Sequence, residues 1–515
     1  MANCAVGALQ VAPRGGRRRV AVAFLVGMFV LSVAQVGAGL QGSPGAGAVG
    51  VSRLPAPAPA AAPGFESGLA RVVITTAPNA IDTVSAAVRR VGGQVVQALR
   101  SLNMITADVP MTQWSQLATA AKVKAIATDT RVRLHHAVNG YDPGADVYGV
   151  GNLAHAMGAR EFYDQGYSGQ GVDIALIDSG VAPVTGLDLP GKVLHGPDLS
   201  FESQAAESRF VDTFGHGTHM ASIIAGRDSG SGPPVSSEHH VFAGVAPGAR
   251  LISLKVADAY GATDVSQVLA AVDWVVQHRA DPGMNIRVLN LSFGTDGTQH
   301  YQLDPLAHAA EVAWRHGIVV VVAAGNDQAL GRLSNPATNP FVIAVGAQDT
   351  RGTQGRSDDT IPAFSSSGDG VRNPDVVAPG VSIAALRAPD STIDVQFSTA
   401  RAGQRYFRGS GTSQAAAMVS GATALLLQRY PGLTPDEVKR HLQANASPLP
   451  GIDVRRQGAG SINLDLASRN APERGVRQSW APATGTGTLQ GARGSLHLER
   501  DGEVLQGEQD IFGAP

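Results

Sequence analysis

Three short segments of this 515-residue chain carry side chains able to do covalent chemistry. Asp178-Ser179-Gly180 closes an apolar run at 172–177. A carboxylate at a strand end can hold and orient an imidazole, although an Asp before Ser-Gly is by itself as readily a turn former. In Asp212-Thr213-Phe214-Gly215-His216-Gly217-Thr218-His219, glycines flank His216 and permit close approach of backbone or ligand to its ring. His219, three residues on, would suggest a metal pair only with an HExxH pattern or a third ligand cluster. Neither accompanies it, so it is expected to be a packed, hydrogen-bonded histidine. Gly409-Ser410-Gly411-Thr412-Ser413 leads into a helix former that reaches Leu427. A serine there is ordinarily a cap; it can also be a nucleophile whose backbone N–H, with the positive end of the helix, faces a developing oxyanion.

Groups so far apart in sequence need a scaffold to meet. The runs 172–177, 251–256, 288–291, 318–323 and 342–345 are almost continuously apolar, as strands covered on both faces of a parallel sheet must be. Between them Val265, Val268, Leu269, Val272, Val275 and Val276 recur at helical spacing. Leu306, Ala309, Ala310, Ala313 and Trp314 do so again, before a stop at Gly317. This predicts a doubly wound, mostly parallel α/β domain, with polar residues just after the strands as its site. Upstream, 71–76, 94–99, 104–109 and 123–127 read as strands and 80–90 and 111–121 as helices. Their order, β-α-β-β-α-β, is that of a small, widely reused module.

Composition narrows the class. With 43% hydrophobic and 16% charged residues the chain is globular, and 62 Gly and 30 Pro predict many turns. The balance of 40 basic and 42 acidic residues supplies no field for nucleic acid. Cys4, the single cysteine, excludes an intramolecular disulfide and a cysteine nucleophile in the folded body. Arg14, Arg17, Arg18 and Arg19 precede an apolar run at 20–36, and Val36-Gly37-Ala38 follows. That layout predicts a signal peptide over 1–38 and export; the run is a little short of the roughly 20 residues that span a bilayer. An Ala/Pro/Gly-rich spacer occupies 39–66.

The three chemical segments, in the order Asp, His, Ser, resemble the subtilisin-like serine proteases, whose motifs read D-[ST]-G, H-G-T-H-x-A and G-T-S-x-A. Further matching segments are 244–249, Leu289-Asn290-Leu291-Ser292-Phe293-Gly294, Ala323-Ala324-Gly325-Asn326, Asn335-Pro336-Ala337 and Val377-Ala378-Pro379-Gly380. The resemblance spans about 140–470 and implies a subtilisin-like fold.

It also implies roles. Ser413 would be the nucleophile, His216 the general base and acid, and Asp178 the group that orients the imidazole. Asn326 would be the side-chain oxyanion donor beside the backbone N–H of Ser413. Ser292, Phe293 and Gly294, with Ala323, Ala324 and Gly325, would flank the pocket for the residue preceding the scissile bond. Phe293 stands where an aliphatic residue is commoner; Gln414 replaces the usual Met and Ala417 the usual Pro.

The module at 67–137 resembles the family's inhibitor-type propeptide, which implies autocleavage near 134–139 ahead of a catalytic domain at 138–470. A 471–515 extension of unassigned role follows. The implied partners are polypeptide substrates and the chain's own propeptide, with no nucleic acid, and a membrane only if the signal segment stays uncleaved. The chemistry requires no cofactor; family members often bind structural calcium, which no Asp/Asn-rich loop here locates. Two rivals keep the fold and change the activity: a catalytically inactive surface binding protein, and a peptide ligase using the same triad. Acid peptidases of the sedolisin type put Glu where His216 lies, so the histidine points to near-neutral or alkaline activity.

Overall fold

The computed structural model describes residues 69–99, 104–128, 146–229, 241–328, 331–494, 499–500 and 503–504. The expected signal peptide, spacer and cleavage bond lie outside the described residues. Two compact units divide the chain near residue 136.

In the first unit, β1 (Leu69–Thr76), α1 (Ile81–Arg90), β2 (Gln94–Leu99), β3 (Met104–Pro110), α2 (Trp114–Ala118) and β4 (Val123–Thr128) give the expected β-α-β-β-α-β order. The antiparallel sheet runs β2-β3-β1-β4, over a core that includes Val72, Ile74, Val84, Val88 and Ile105. The helix expected over 111–121 is shorter: a 3-10 turn at Met111–Gln113 precedes α2. At its end the Thr119 hydroxyl donates to the carbonyls of Ser115 and Gln116, a local bond that competes with helix continuation.

The second unit opens with two short helices, α3 (Val150–Ala156) and α4 (Arg160–Tyr163), before β5 (Asp173–Asp178) and β6 (Val193–Asp198). The chain then alternates through α5 (His216–Ala225), β7 (Arg250–Lys255), α6 (Val265–His278), β8 (Ile286–Leu291), α7 (Pro305–Arg315), β9 (Val319–Ala323), β10 (Ile343–Gln348) and β11 (Val376–Pro379). These strands form a seven-stranded sheet in the order β11-β10-β9-β8-β5-β7-β6, parallel throughout. The fold is subtilisin-like. β5 is completely buried, as its apolar run requires. Its neighbours β7 and β8 lead to opposite halves of the sheet, so the strand order switches at β5 and opens a crevice outside its carboxyl end. Asp178 sits there as the last residue of β5.

Strand β6 was not legible in the sequence. It reads VLHGPD and is only partly buried, and Pro197 within it is tolerated because this is an edge strand, paired with β7 alone. A small antiparallel sheet follows, β12 (Ile383–Leu386) with β13 (Arg401–Ala402) and β14 (Tyr406–Gly409), enclosing α8 (Thr392–Gln396). Helix α9 (Thr412–Arg429) is buried from Thr412 to Leu427 and packs against β8, β9, β10 and β11. A helix apolar or small-sided all round belongs in the interior. Then come α10 (Pro435–Ala444), α11 (Val454–Gln457), α12 (Leu464–Arg469) and α13 (Leu489–Arg493). Thr434 caps α10 in a capping box with Glu437.

Candidate active site

A cleft of about 380 Å³ gathers the separated segments: Asp178 from β5, His216 from α5, Ser292 to Gly294 after β8, Ala323 at the end of β9 with Gly325 and Asn326 after it, and Ser413 from α9. Ala324 is fully buried just behind this lining, its N–H bonded to the Val345 carbonyl. His216 Nδ1 donates to Asp178 Oδ1 at 2.8 Å; an ionised carboxylate can only accept, so the bond puts the ring proton on Nδ1 and leaves Nε2 basic. The same oxygen accepts from Ser179 N at 2.8 Å. Asp178 Oδ2 is buried and accepts nothing among the described residues. Burial depresses the His216 pKa, but the charge of Asp178, its hydrogen bond and the charge of Asp212 outweigh this and hold it above the ordinary imidazole value.

Asp212 was visible in the sequence only as part of the histidine motif. Its Oδ1 accepts from Ser179 Oγ at 2.8 Å and Gly215 N at 2.6 Å, and its Oδ2 from Thr218 N at 2.7 Å. It thus ties the segment after β5 to the first turn of α5. The two come so close that a side chain on Gly217 would strike the carbonyl of Gly180, which is why glycine stands beside the imidazole.

On the serine side a buried polar chain fixes α9 against the end of β8. Ser420 Oγ donates to Asn290 Oδ1 at 2.9 Å, Asn290 Nδ2 to Ser292 Oγ at 2.7 Å, and Ser292 Oγ to the Ser413 carbonyl at 3.1 Å. The Ser413 hydroxyl itself donates to the Ser292 carbonyl at 2.7 Å. Ser413 occupies the first turn of α9 rather than its cap, which is Gly411. Asn326 Oδ1 accepts from Thr412 N at 2.8 Å and Thr412 Oγ1 at 3.0 Å. That fixes the amide's orientation and leaves Nδ2 as its donor end in the cleft. Thr412 and Asn290 had given no sign of these tasks, because an amide's orientation depends on partners far away in sequence.

His219 departs from expectation. It is buried, but neither ring nitrogen has a hydrogen-bond partner of good geometry among the described residues; it meets Phe407 edge to face instead. Burial first, and the neighbouring His216 second, pull its pKa down to about 3 against a weak opposing effect of the Leu386 backbone. It remains a neutral packing group. Among the described residues no three His, Cys, Asp or Glu side chains gather in a metal-binding group.

Gln414 is 1% exposed and its Oε1 accepts no hydrogen bond from the described residues. An unpaired buried acceptor costs about 1–3 kcal/mol. Gln414→Met keeps the volume and removes the orphan, so calorimetry should show a thermal midpoint about 2 °C or more higher; a lower midpoint would mean that the amide is satisfied.

A carboxylate–imidazole pair beside a serine at the N-terminus of a helix, with an oriented amide donor across the cleft, defines a site of the serine-hydrolase type. The subtilase family profile (Peptidase S8) matches residues 169–460, more than half of the chain, and the chain belongs to that family of subtilisin-like serine endopeptidases. It is similar to serine protease AprX of Bacillus subtilis (strain 168), 38% identical over 308 residues that cover 58% of this chain and 67% of that protein. It is also similar to subtilisin DY of Bacillus licheniformis, 33% identical over 308 residues covering 59% and 93%. Among solved structures, fervidolysin from Fervidobacterium pennivorans overlays with a TM-score of 0.49 at 24% identity, over 79% of this chain and 62% of fervidolysin.

Proposed function

We propose that the chain is a secreted serine endopeptidase, made as a self-processing zymogen, which hydrolyses peptide bonds through an acyl-enzyme on Ser413. The observation that carries this reading is the 2.8 Å His216–Asp178 bond in the same cleft as Ser413, inside the family-matched segment. A substrate N–H that takes up the Ser292 carbonyl releases the Ser413 hydroxyl now bonded to it. Oγ then attacks the scissile carbonyl carbon while His216 Nε2 takes its proton, and the imidazolium rests against Asp178. The oxyanion lies between the Ser413 backbone N–H and Asn326 Nδ2, a donor worth about a hundredfold or more in rate. His216 returns the proton to the leaving amine, and water repeats the sequence to free the acyl group. Residues 292–294 and 323–325 flank the pocket for the side chain preceding the cut bond.

The 67–137 unit acts as the propeptide and intramolecular inhibitor, and 1–38 directs export. No cofactor enters the chemistry; calcium, where bound, would be structural. The test is the mass of the purified chain over time for wild type and Ser413→Ala, with fluorophosphonate labelling. Release of a fragment ending near 134–139 by the wild type alone supports zymogen, triad and self-processing together. Two intact, unlabelled chains would leave a binding protein on the same fold, and acyl transfer to an added amine in preference to water would favour a ligase.

A further inference from the structure

Beyond the family-matched segment, residues 483–494 lie against the catalytic unit. Residues 483–493 run along α7 and the loop before it: Ala483 N donates to the buried carboxylate of Glu311 at 2.9 Å, Gly487 N to the Leu303 carbonyl at 2.7 Å, and Thr488 N to Gln299 Oε1 at 2.9 Å. The run ends in α13, which packs on α6 and α7. There Ala492 is fully buried in the main core, and its carbonyl accepts from Thr295 Oγ1 and from Asn335 Nδ2. The next residue, Arg493, is 5% exposed and pairs with Asp264 at 2.5 Å.

Both anchors adjoin the cleft. Thr295 is itself a wall residue, and Asp264 follows Thr263, another wall residue. Asp264 also caps α6, accepting from Val265 N. A cation is unfavourable at a helix N-terminus and costly to bury unpaired, so Arg493 is held there by the cap carboxylate. The approach is tight enough that a side chain on Gly297 would meet the carbonyls of Gly491 and Ala492. Two consecutive residues, 492 and 493, therefore join two stretches of the cleft wall, 261–263 and 292–296, that are otherwise separated by α6 and β8.

We propose that residues 483–493 are a strap that fixes these two stretches relative to each other and so sets affinity for extended peptides, with Arg493 as a positioning residue. The word peptide rests on the function proposed above; the strap itself does not. Full-length Arg493→Met is compared with wild type, and with Gly487→Ala, which crowds the strap at a point outside the cleft lining, where a side chain would meet Leu303 O and Gln299 Oε1. Hydrogen–deuterium exchange is expected to quicken in both 259–267 and 292–299. KM for a tetrapeptide anilide should rise about tenfold, the mark of lost uniform binding, with kcat and turnover of a single-residue ester nearly unchanged. Unchanged exchange and KM in both variants, or equal losses on peptide and ester, would overturn the strap. A wild type that never reacts with fluorophosphonate, while exchange quickens as expected in the variants, would leave the strap standing and remove the protease reading.

Discussion

Protein freed of its 67–137 unit and carrying Ser413→Ala is expected to hydrolyse a peptide anilide about 10⁶-fold more slowly than the parent so freed, and adding His216→Ala should cost almost nothing more; the magnitude is one known for subtilisin itself. The non-additivity follows from the proposed proton path. His216 contributes by taking the proton of the Ser413 hydroxyl, so once that hydroxyl is gone the imidazole has no task left. A residual rate of about 10³–10⁴ over water should survive in both variants, from the oxyanion donors and the binding cleft. Unfolding would not explain the loss, because the hydroxyl's hydrogen bond to the Ser292 carbonyl is worth only about 1 kcal/mol. Steady-state kinetics of the parent, the two single variants and the double variant, each with its thermal midpoint, decide the matter. Losses that multiply in the double variant would mean that the two residues do not act as a unit.

Much of this arrangement was legible because it depends on short-range pattern. The buried strands β5, β8 and β9 announce themselves as apolar runs, and Asp178, Ser292 and Asn326 lie at or shortly beyond their ends, whereas His216 and Ser413 instead open the helices α5 and α9. What escaped depends on contacts between distant residues. β6 carries a polar, Pro-containing sequence that only an edge position permits. The orientation of Asn326 is set by Thr412, 86 residues away, and the path from Ser420 through Asn290 to Ser292 crosses 130 residues. Composition assigned no role to the 471–515 extension, whereas Gly487 and Gly491 within it let the backbone lie close against 297–303. His219 shows the opposite error: a motif histidine invites a polar role, and burial beside another imidazole leaves it neutral.

Asp178→Asn should lower kcat by about 10⁴ while leaving the fold intact, as expected when the group that sets the histidine tautomer is replaced by an isosteric amide. The amide cannot be relied on to accept from Nδ1–H; where its NH₂ faces the ring, the ring proton moves to Nε2, the nitrogen that must receive the serine proton. A second readout separates this from loss of packing. In the parent, His216 is held above the ordinary imidazole value of about 6.5, so kcat/KM should rise as pH climbs through that raised value and the base form appears. Without the Asp178 charge and hydrogen bond, burial prevails and only Asp212 opposes it, so the acid limb of the profile should move to lower pH. Stability should follow the same linkage. A raised histidine pKa stabilises the folded chain fully below about 6.5 and loses that effect as pH rises through the folded value. The stability gap between parent and variant should therefore be widest in acid and narrow towards alkaline pH. An acid limb that stays in place in Asp178→Asn would show that Asp178 does not hold the charge of His216, whatever happens to the rate.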